Sequence, residues 1–454
     1  MKKVIALITA FTIVLSISAC GGKTAAPEVE PQAPVDQPTG AKTAPPPVDQ
    51  PDGALTPPPP TESSNGAKTA PPDANGSEFK AEADAKLVVW ESKGAGTYPE
   101  ELIKEFTDKY GVEVTREVID SVEQADRLAQ EGASAADVMM LPSRELGKAV
   151  EAGLVLPNDL FEVEARRMNA KNIVEGVSYH GIVYGYPFAA DTYLLYYNKK
   201  LIQEAPRTFD DVIDFSKKFT NKTTNTYGIM WDVSNLYFSY PFLASSGGYI
   251  YGKGGTDIND MGLNSAEAQR SMKVFSRLRE VLPLQSDKLT QDFKRERFTT
   301  GQLAMDISGP EMLSDYKKAL GDQLGVAPLP AVAGYPAVSF ADIKAWYVNA
   351  DSKYPNAAKL FAYYASSREA QLNYSVQTGA IPTNIEVQQS EHILSAPYMS
   401  AFIAQLGNAQ AVPNLPEMDL VWRPVDAALA DIWDNQKDAK AALDHAVKEI
   451  QAPK

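Results

Sequence analysis

The sequence predicts an α/β protein whose folded part is divided into two lobes. After a Pro-rich leader, about 370 of the 454 residues remain, more than one hydrophobic core usually serves. Short apolar runs alternate with stretches of helical spacing at the start of this part, which implies a parallel sheet with a ligand crevice at the carboxyl ends of its strands. The chain also carries 21 Tyr, 16 Phe and 5 Trp, enough rings for both a core and a binding surface.

Lys86-Leu-Val-Val-Trp90 reads as a first strand. In Pro99 to Tyr110, the residues Leu102, Phe106 and Tyr110 recur at i, i+4 and i+8, so they share one helical face. Gly111 supplies a left-handed stop after them. Val112 to Val118 alternates like a strand, a helix is expected over about 122–132, and Ala136-Asp-Val-Met-Met-Leu141 has a buried-strand pattern.

Before these elements come two segments of another kind. Lys2 and Lys3 precede an apolar run from Val4 to Ile17, closed by Ile17-Ser-Ala-Cys20. That order of charge, grease and small residues is what export machinery handles, and the run is short of the roughly 20 residues of a membrane span. The last four residues resemble the lipobox of bacterial lipoproteins, which implies a lipid on Cys20. Cys20 is the one cysteine of the chain, so a lipidated protein would keep neither a disulfide nor a free thiol. Residues 21–84 are Pro-, Ala- and Gly-rich and repeat themselves: Gly40 to Pro46 recurs as Gly66 to Pro72, and Pro34 to Pro38 as Pro47 to Pro51. Such a composition buries too little to offset ordering entropy, and a disordered spacer is expected. Mostly extended, it would reach on the order of 100 Å or more. The formal net charge of −15 and the absence of a basic cluster speak against nucleic acid as a partner.

Six segments in chain order carry a resemblance. They are Lys86 to Trp90, Ala136 to Met140, Tyr184-Gly-Tyr-Pro-Phe188, Tyr196-Tyr-Asn-Lys-Lys200, Gly301-Gln-Leu-Ala-Met305 with Ser308-Gly-Pro310, and Val412-Pro-Asn-Leu-Pro-Glu-Met418 with Trp422. Together they resemble family 1 extracellular solute-binding proteins, most closely the maltose/maltodextrin-binding branch. The resemblance implies the two-lobed periplasmic-binding-protein-like fold of type II. Lobe 1 would be 85–189 and 345–392, and lobe 2 would be 194–339 and 397–454. Hinges are expected near 190–193, 340–344 and 393–396, closing around an oligosaccharide. It further implies a monomeric, lipid-anchored receptor on the extracellular face of a single-membrane bacterium, docking on the permease of an ABC importer.

Sugars offer apolar ring faces and many hydroxyls, so a receptor wants flat aromatic rings with carboxylates, amides and guanidinium groups around them. The resemblance puts Trp422 at a stacking position, although a core Trp at a helix start has the same pattern. Tyr237 and Phe238 match an aromatic pair of the cleft wall, with core packing open for Phe238. Asp191 matches a cleft carboxylate or serves as a helix cap. Glu91 and Glu123 match further polar positions or are merely solvated. Trp231 with Asp232 lines the same wall or belongs to the core, and packing is the default for Trp346. Several positions depart from the maltose branch. Leu141 stands where the branch has an aromatic platform, and Arg144-Glu145 reverses an Asp-Arg pair. Glu311 replaces a Trp, Asn235 a carboxylate and Asp426 an arginine. A ligand other than simple maltose is therefore expected.

Two other readings remain at this point. The acidic candidates Glu91, Asp191, Glu311 and Asp342 would suit a cation such as a polyamine. A glycosidase would need two suitably spaced carboxylates. No phosphate loop or serine elbow occurs, and His180, His392 and His445 lack ligand spacing. No catalytic residue, metal or cofactor is therefore expected.

Overall fold

A computed structural model describes residues 79–93 and 98–452. The signal segment 1–20 with Cys20, and the spacer up to residue 78, lie outside the described residues. Residues 79–84, expected to close the spacer, are instead packed on the fold. The Phe79 ring meets Phe161 edge-on at 5.7 Å, and the Glu82 carboxylate accepts from the amides of Asn356 and Ala357 at 2.8 and 2.9 Å. Two free N–H groups at a helix start make that anchor, and composition did not reveal it.

Among the described residues, thirteen strands follow. They are β1 (Lys86–Ser92), β2 (Glu113–Ile119), β3 (Val138–Pro142), β4 (Ser178–Tyr179), β5 (Ile182–Val183), β6 (Tyr186–Asp191), β7 (Leu194–Asn198), β8 (Tyr227–Met230), β9 (Leu303–Ser308), β10 (Leu324–Ala327), β11 (Phe340–Val348), β12 (Ile381–Pro382) and β13 (Gln410–Ala411). One sheet runs β12-β6-β11-β3-β1-β2 with β13 paired to β11, and a second runs β10-β7-β9-β8. The helix Glu100–Tyr110 buries Leu102, Ile103 and Phe106 and ends at Gly111 with φ 68°, as its spacing requires.

The first sheet is mixed rather than parallel. β1 pairs parallel with β2 and β3, and β11 with β13. β11 is antiparallel to both β3 and β6. The cause is connectivity. β11 does not follow a crossover helix from a neighbour but enters from β10 of the second sheet, so no parallel geometry is imposed on it.

The chain passes between the sheets at 192–193 and again between β10 and β11. These two passages are tied together. The Thr192 hydroxyl donates to the Phe340 carbonyl at 2.8 Å and lies 2.9 Å from the Ser339 hydroxyl, and Tyr193 Oη accepts from the Phe340 amide.

Two apolar clusters hold the structure. Phe106, Phe188, Phe361 and Trp346 lie in one, where Trp346 is fully buried among Tyr98, Phe188 and Phe361, as packing predicts. Trp231, Phe242, Phe275 and Trp433 lie in the other. Among the described residues, no helix is long and apolar enough to cross a membrane.

Candidate functional site

The candidate site is drawn from β6, β11 and the turn after β3 together with two short elements, one after β8 and one after β13. Asn235 starts the helix Leu236–Ser239 by accepting from the Tyr237 amide at 2.9 Å. This single turn sets Tyr237 and Phe238, both half-buried, against Tyr193 at 5.2 and 5.3 Å. The 3₁₀ turn Pro416–Leu420 leads into the helix Trp422–Asp434. Trp422, its first residue, is half-buried and packs edge-on to Phe340 at 6.2 Å. Phe340 is itself stacked near Tyr237, centroids 6.0 Å apart and 28° from parallel. Trp422, Phe340 and Tyr237 thus make one wall of rings.

Charged side chains from both sheets surround it. Asp191 ends β6, and its carboxylate takes the Lys344 ammonium of β11 at 2.8 Å. Asp342, the register partner of Asp191, accepts from Arg144 of the 3₁₀ turn Ser143–Glu145. Glu145 lies 3.6 Å from both Arg144 and Lys148, while Lys148 reaches Asp419 at 2.8 Å. Glu311, in the turn Pro310–Met312, accepts from the Gly309 amide at 3.2 Å.

The electrostatics couple several of these groups. Burial holds the Tyr237 hydroxyl far above its ordinary range; the charges of Asp191 and Glu311 add to this and Arg144 opposes it. Desolvation also raises the Glu311 carboxyl, with backbone amides and the Lys294 ammonium pulling it back and Asp191 raising it. Asp426 stands one helical turn after Trp422 and accepts from the Leu236 amide at 2.7 Å. Burial pushes Asp426 up to about 6, the Leu236 amide restrains it, and Asp232 adds to the rise. Asp232 is raised by burial too, against Lys294 and Asn235. Phe340 is fully buried and backs the wall, while the half-buried rings of Trp422 and Tyr237 can offer surface for stacking together with acceptors and cations for hydroxyl groups.

Beneath this wall lies a sealed ionic set. Lys294 is fully buried and meets Asp306 at 3.0 Å, also donating to the Ile307 carbonyl at 3.1 Å and Ser308 Oγ at 3.0 Å. Ser308 and Tyr316 hydroxyls both donate to Asp306 Oδ2 at 2.7 Å. The Tyr196 hydroxyl donates to the Gly309 carbonyl at 2.8 Å, which fixes the turn carrying Glu311.

Not every expected residue joins the wall. Glu91 is buried and sits inside the first sheet's edge. It accepts from Arg116 at 2.9 Å and from the Tyr98 amide at 3.0 Å, so it pins the chain after β1 rather than facing a ligand. Trp231 is fully buried, donates to Ser239 Oγ at 2.9 Å and packs on Phe242 and Trp433, which is a core role. Asn235 uses its side-chain oxygen as a helix cap. Phe238 carries the Lys294 ammonium 5.7 Å from its ring centre, on the side of the sealed set. Glu123 is exposed on the helix Ser121–Glu131, the helix that also carries Arg127 over the Trp90 ring. Leu141 is buried in β3.

Sequence reasoning overlooked Phe340 and Lys344. Asp342 and Lys344 are two apart in a strand and therefore share a face, and that alternation was a usable signal.

Comparisons with known proteins identify the family and the fold. The family model described as bacterial extracellular solute-binding protein matches residues 101–401. A maltooligosaccharide ABC transporter solute-binding lipoprotein of Streptococcus pneumoniae is 30% identical over 375 residues, covering 81% of this chain and 88% of its own. The maltodextrin-binding protein MdxE of Bacillus subtilis is 29% identical, covering 83% and 92%. In three dimensions, a cyclo/maltodextrin-binding protein complexed with maltotetraose superposes with a TM-score of 0.77 at 31% identity, covering 82% of this chain and 98% of that one. Both the α/β architecture and the order of the matching segments are thereby accounted for, and the chain belongs to the bacterial extracellular solute-binding proteins.

Proposed function

We propose that this chain is the receptor of an ABC importer, capturing an oligosaccharide beside the Trp422–Phe340–Tyr237 wall and delivering it to a membrane permease. The observation that carries this is the half-open ring pair of Trp422 and Tyr237, both packed on Phe340 of β11, the strand whose Asp342 and Lys344 hold Arg144 and Asp191. Trp422, Tyr237, Asp191, Arg144, Glu145 and Glu311 are the residues assigned to the ligand. Ligands carried by the similar proteins, maltotetraose among them, support the sugar class. Loss of rings at Leu141 and Glu311 favours a sugar other than simple maltose. The two passages between the sheets, at 192–193 and between β10 and β11, with 393–396 as a third, serve as hinges between lobes; the hinge expected at 340–344 falls inside β11 of the first sheet. A lipid on Cys20 keeps the monomeric receptor on the outer face of the cell membrane, and the similar lipoprotein supports that anchor. The chain binds and does not catalyse.

A second reading has its own observation. Burial and the Asp232 charge raise the cost of ionising Asp426, one helical turn after Trp422, and a ligand ammonium pairing with Asp426 would relieve it. A polyamine is its simplest form.

Tryptophan fluorescence decides between them. Trp90, Trp231, Trp346 and Trp433 are all buried, so Trp422 is the half-open reporter. Titration with maltotriose, galactooligosaccharides and spermidine is expected to give a saturable change with an oligosaccharide and no released monosaccharide. A response to spermidine alone would replace the sugar reading with the cationic one, and released monosaccharide would overturn the receptor class.

A further inference from the structure

A cavity of about 710 Å³ lies on the other side of the ring wall. Its lining includes Asn172, Tyr179, Tyr240, Tyr249, Tyr251 and Gln410. None of the residues assigned to the oligosaccharide lines it, so it is a separate space. Its size falls within the range of small-molecule sites, roughly 300–1,000 Å³.

Its rings are held in place by their own hydroxyls. Tyr240 donates to Gln410 Oε1 at 2.6 Å, Tyr249 to Asp260 Oδ1 at 2.7 Å and Tyr251 to the Glu417 carbonyl at 3.0 Å, while Tyr179 donates to Glu151. Tyr179, Tyr240 and Tyr251 are buried and form the cavity's floor, and Tyr249 is half-open to a ligand; tethered at its tip, it loses little freedom on binding, which is how a preorganised ring gains affinity. Asn172 donates to the carbonyls of Leu406 and Ala409 and accepts from the Ile173 amide at 3.1 Å, so it fixes the shape of this wall. The remaining wall is glycine-rich backbone. Lys253 and Gly254 have φ of 49° and 70°, and a Cβ built on Gly254 would meet nothing within 4 Å. Charge around the cavity is mixed: Glu175 is paired with Lys171 and Asp257 with Lys253, and Asp260 and His180 complete it. Rings, amides and exposed backbone with no dominant charge suit a neutral polyhydroxylated ring better than an anion or a polycation.

The cavity is also mechanically joined to the wall. Tyr240 lies flat on Phe340, centroids 3.7 Å apart and 7° from parallel, and Phe340 bears on Tyr237 and Trp422 from its other contacts. Gln410 and Ala411 form β13, which pairs with Phe340 and Ala341 of β11. We propose that this cavity is a second saccharide site, taking a neutral sugar of one to three rings, whose occupancy is linked to the first site through the Tyr240–Phe340 stack. Linkage of this kind is reciprocal, each ligand changing the affinity of the other by the same factor.

Hydrogen exchange of the full chain reads both sites separately, with glucose, maltose and maltotriose as probes up to tens of millimolar. Peptides covering 172–181 and 245–256 report the cavity, and peptides covering 232–238 and 416–426 report the wall. The cavity peptides are expected to gain protection in the unmodified chain and also in the Trp422→Ala/Tyr237→Ala double variant. Tyr249→Ala, a half-buried residue at the cavity's edge, is expected to raise the sugar concentration for half-protection of the cavity peptides by about tenfold or more. Asp260→Ala, which frees the Tyr249 hydroxyl, should act in the same direction more weakly. Cavity protection that vanishes in the double variant, or that never appears with any of the three sugars, overturns the proposal. If the wall peptides respond and the cavity peptides do not, the receptor reading stands and this one falls. The opposite pattern sinks the receptor reading for these sugars and leaves the second site in place.

Discussion

The sealed set under the wall and the open set on it use the same kinds of group in opposite ways. Lys294 and Asp306 are both fully buried, and Ile307, Ser308 and Tyr316 supply further hydrogen bonds to them. Asp191 with Lys344 is likewise paired yet partly open, and Asp342, itself buried, is paired with the partly open Arg144. Asp426 has only the Leu236 amide against its burial and the Asp232 charge. Charges satisfied wholly by the protein hold a shape. Charges satisfied in part keep capacity for a ligand. The difference assigns structure to one set and recognition to the other, and it can be broken by experiment.

The largest effect is expected inside. Lys294→Met leaves Asp306 buried without its cation, a change that typically costs about 3–5 kcal/mol. Urea unfolding should show this as a lower midpoint. Adding Asp306→Leu should recover much of the loss, because an apolar pair of similar volume has no charge to strand. Recovery of nothing would show that the network acts through the Gly309 turn instead.

Next is Trp422→Ala on the open side. It should weaken oligosaccharide binding by about 2–4 kcal/mol by calorimetry, the scale of a central aromatic anchor, with the urea midpoint moved far less than by Lys294→Met. A large stability loss with unchanged affinity would make Trp422 a core residue and collapse the contrast.

Lys344→Met should sharpen the contrast further. The pair with Asp191 is half-open, so its loss is expected to change stability by about 1 kcal/mol or less. Affinity should fall by about 1–2 kcal/mol, since Asp191, a residue assigned to the ligand, loses the charge-assisted bond that holds its carboxylate in place.

How much of this was legible in the sequence follows the range of the interactions. Leu102, Phe106 and Gly111 are local signals, and the helix ran as spaced. Trp422 and Tyr237 were reached through resemblance and do meet at one wall, by way of Phe340. Phe340 itself was not foreseen, because its position depends on β11 entering antiparallel between β3 and β6, some 150–200 residues distant in the chain. Glu91 failed for a related reason. Its strand continues to Ser92, and its partner Arg116 comes from the neighbouring β2, a pairing that no local pattern announces. The replacement of a family arginine by Asp426 was visible, but not that Leu236 would supply an amide to it.

Asp426 gives the last and smallest test. Its folded-state value of about 6 lies above the ordinary 3.8, so the folded chain holds this proton more tightly than the unfolded one. Between those two values stability must fall as pH rises, and acidification from pH 7 toward 4 should recover it. The carboxyl is only half-buried, and solvent screening should keep the gain to about 1 kcal/mol or less. Other carboxylates titrate in the same window, so the informative quantity is a difference between proteins. The urea midpoint of Asp426→Asn, compared with the unmodified chain from pH 4 to 7, should lack this component of the slope. A bound ammonium ligand would hold Asp426 ionised and erase the component as well, whereas a neutral sugar would leave the carboxyl free to titrate. An unchanged slope in the variant would mean that Asp426 already has a satisfied partner, and the open set would lose its most incompletely paired member.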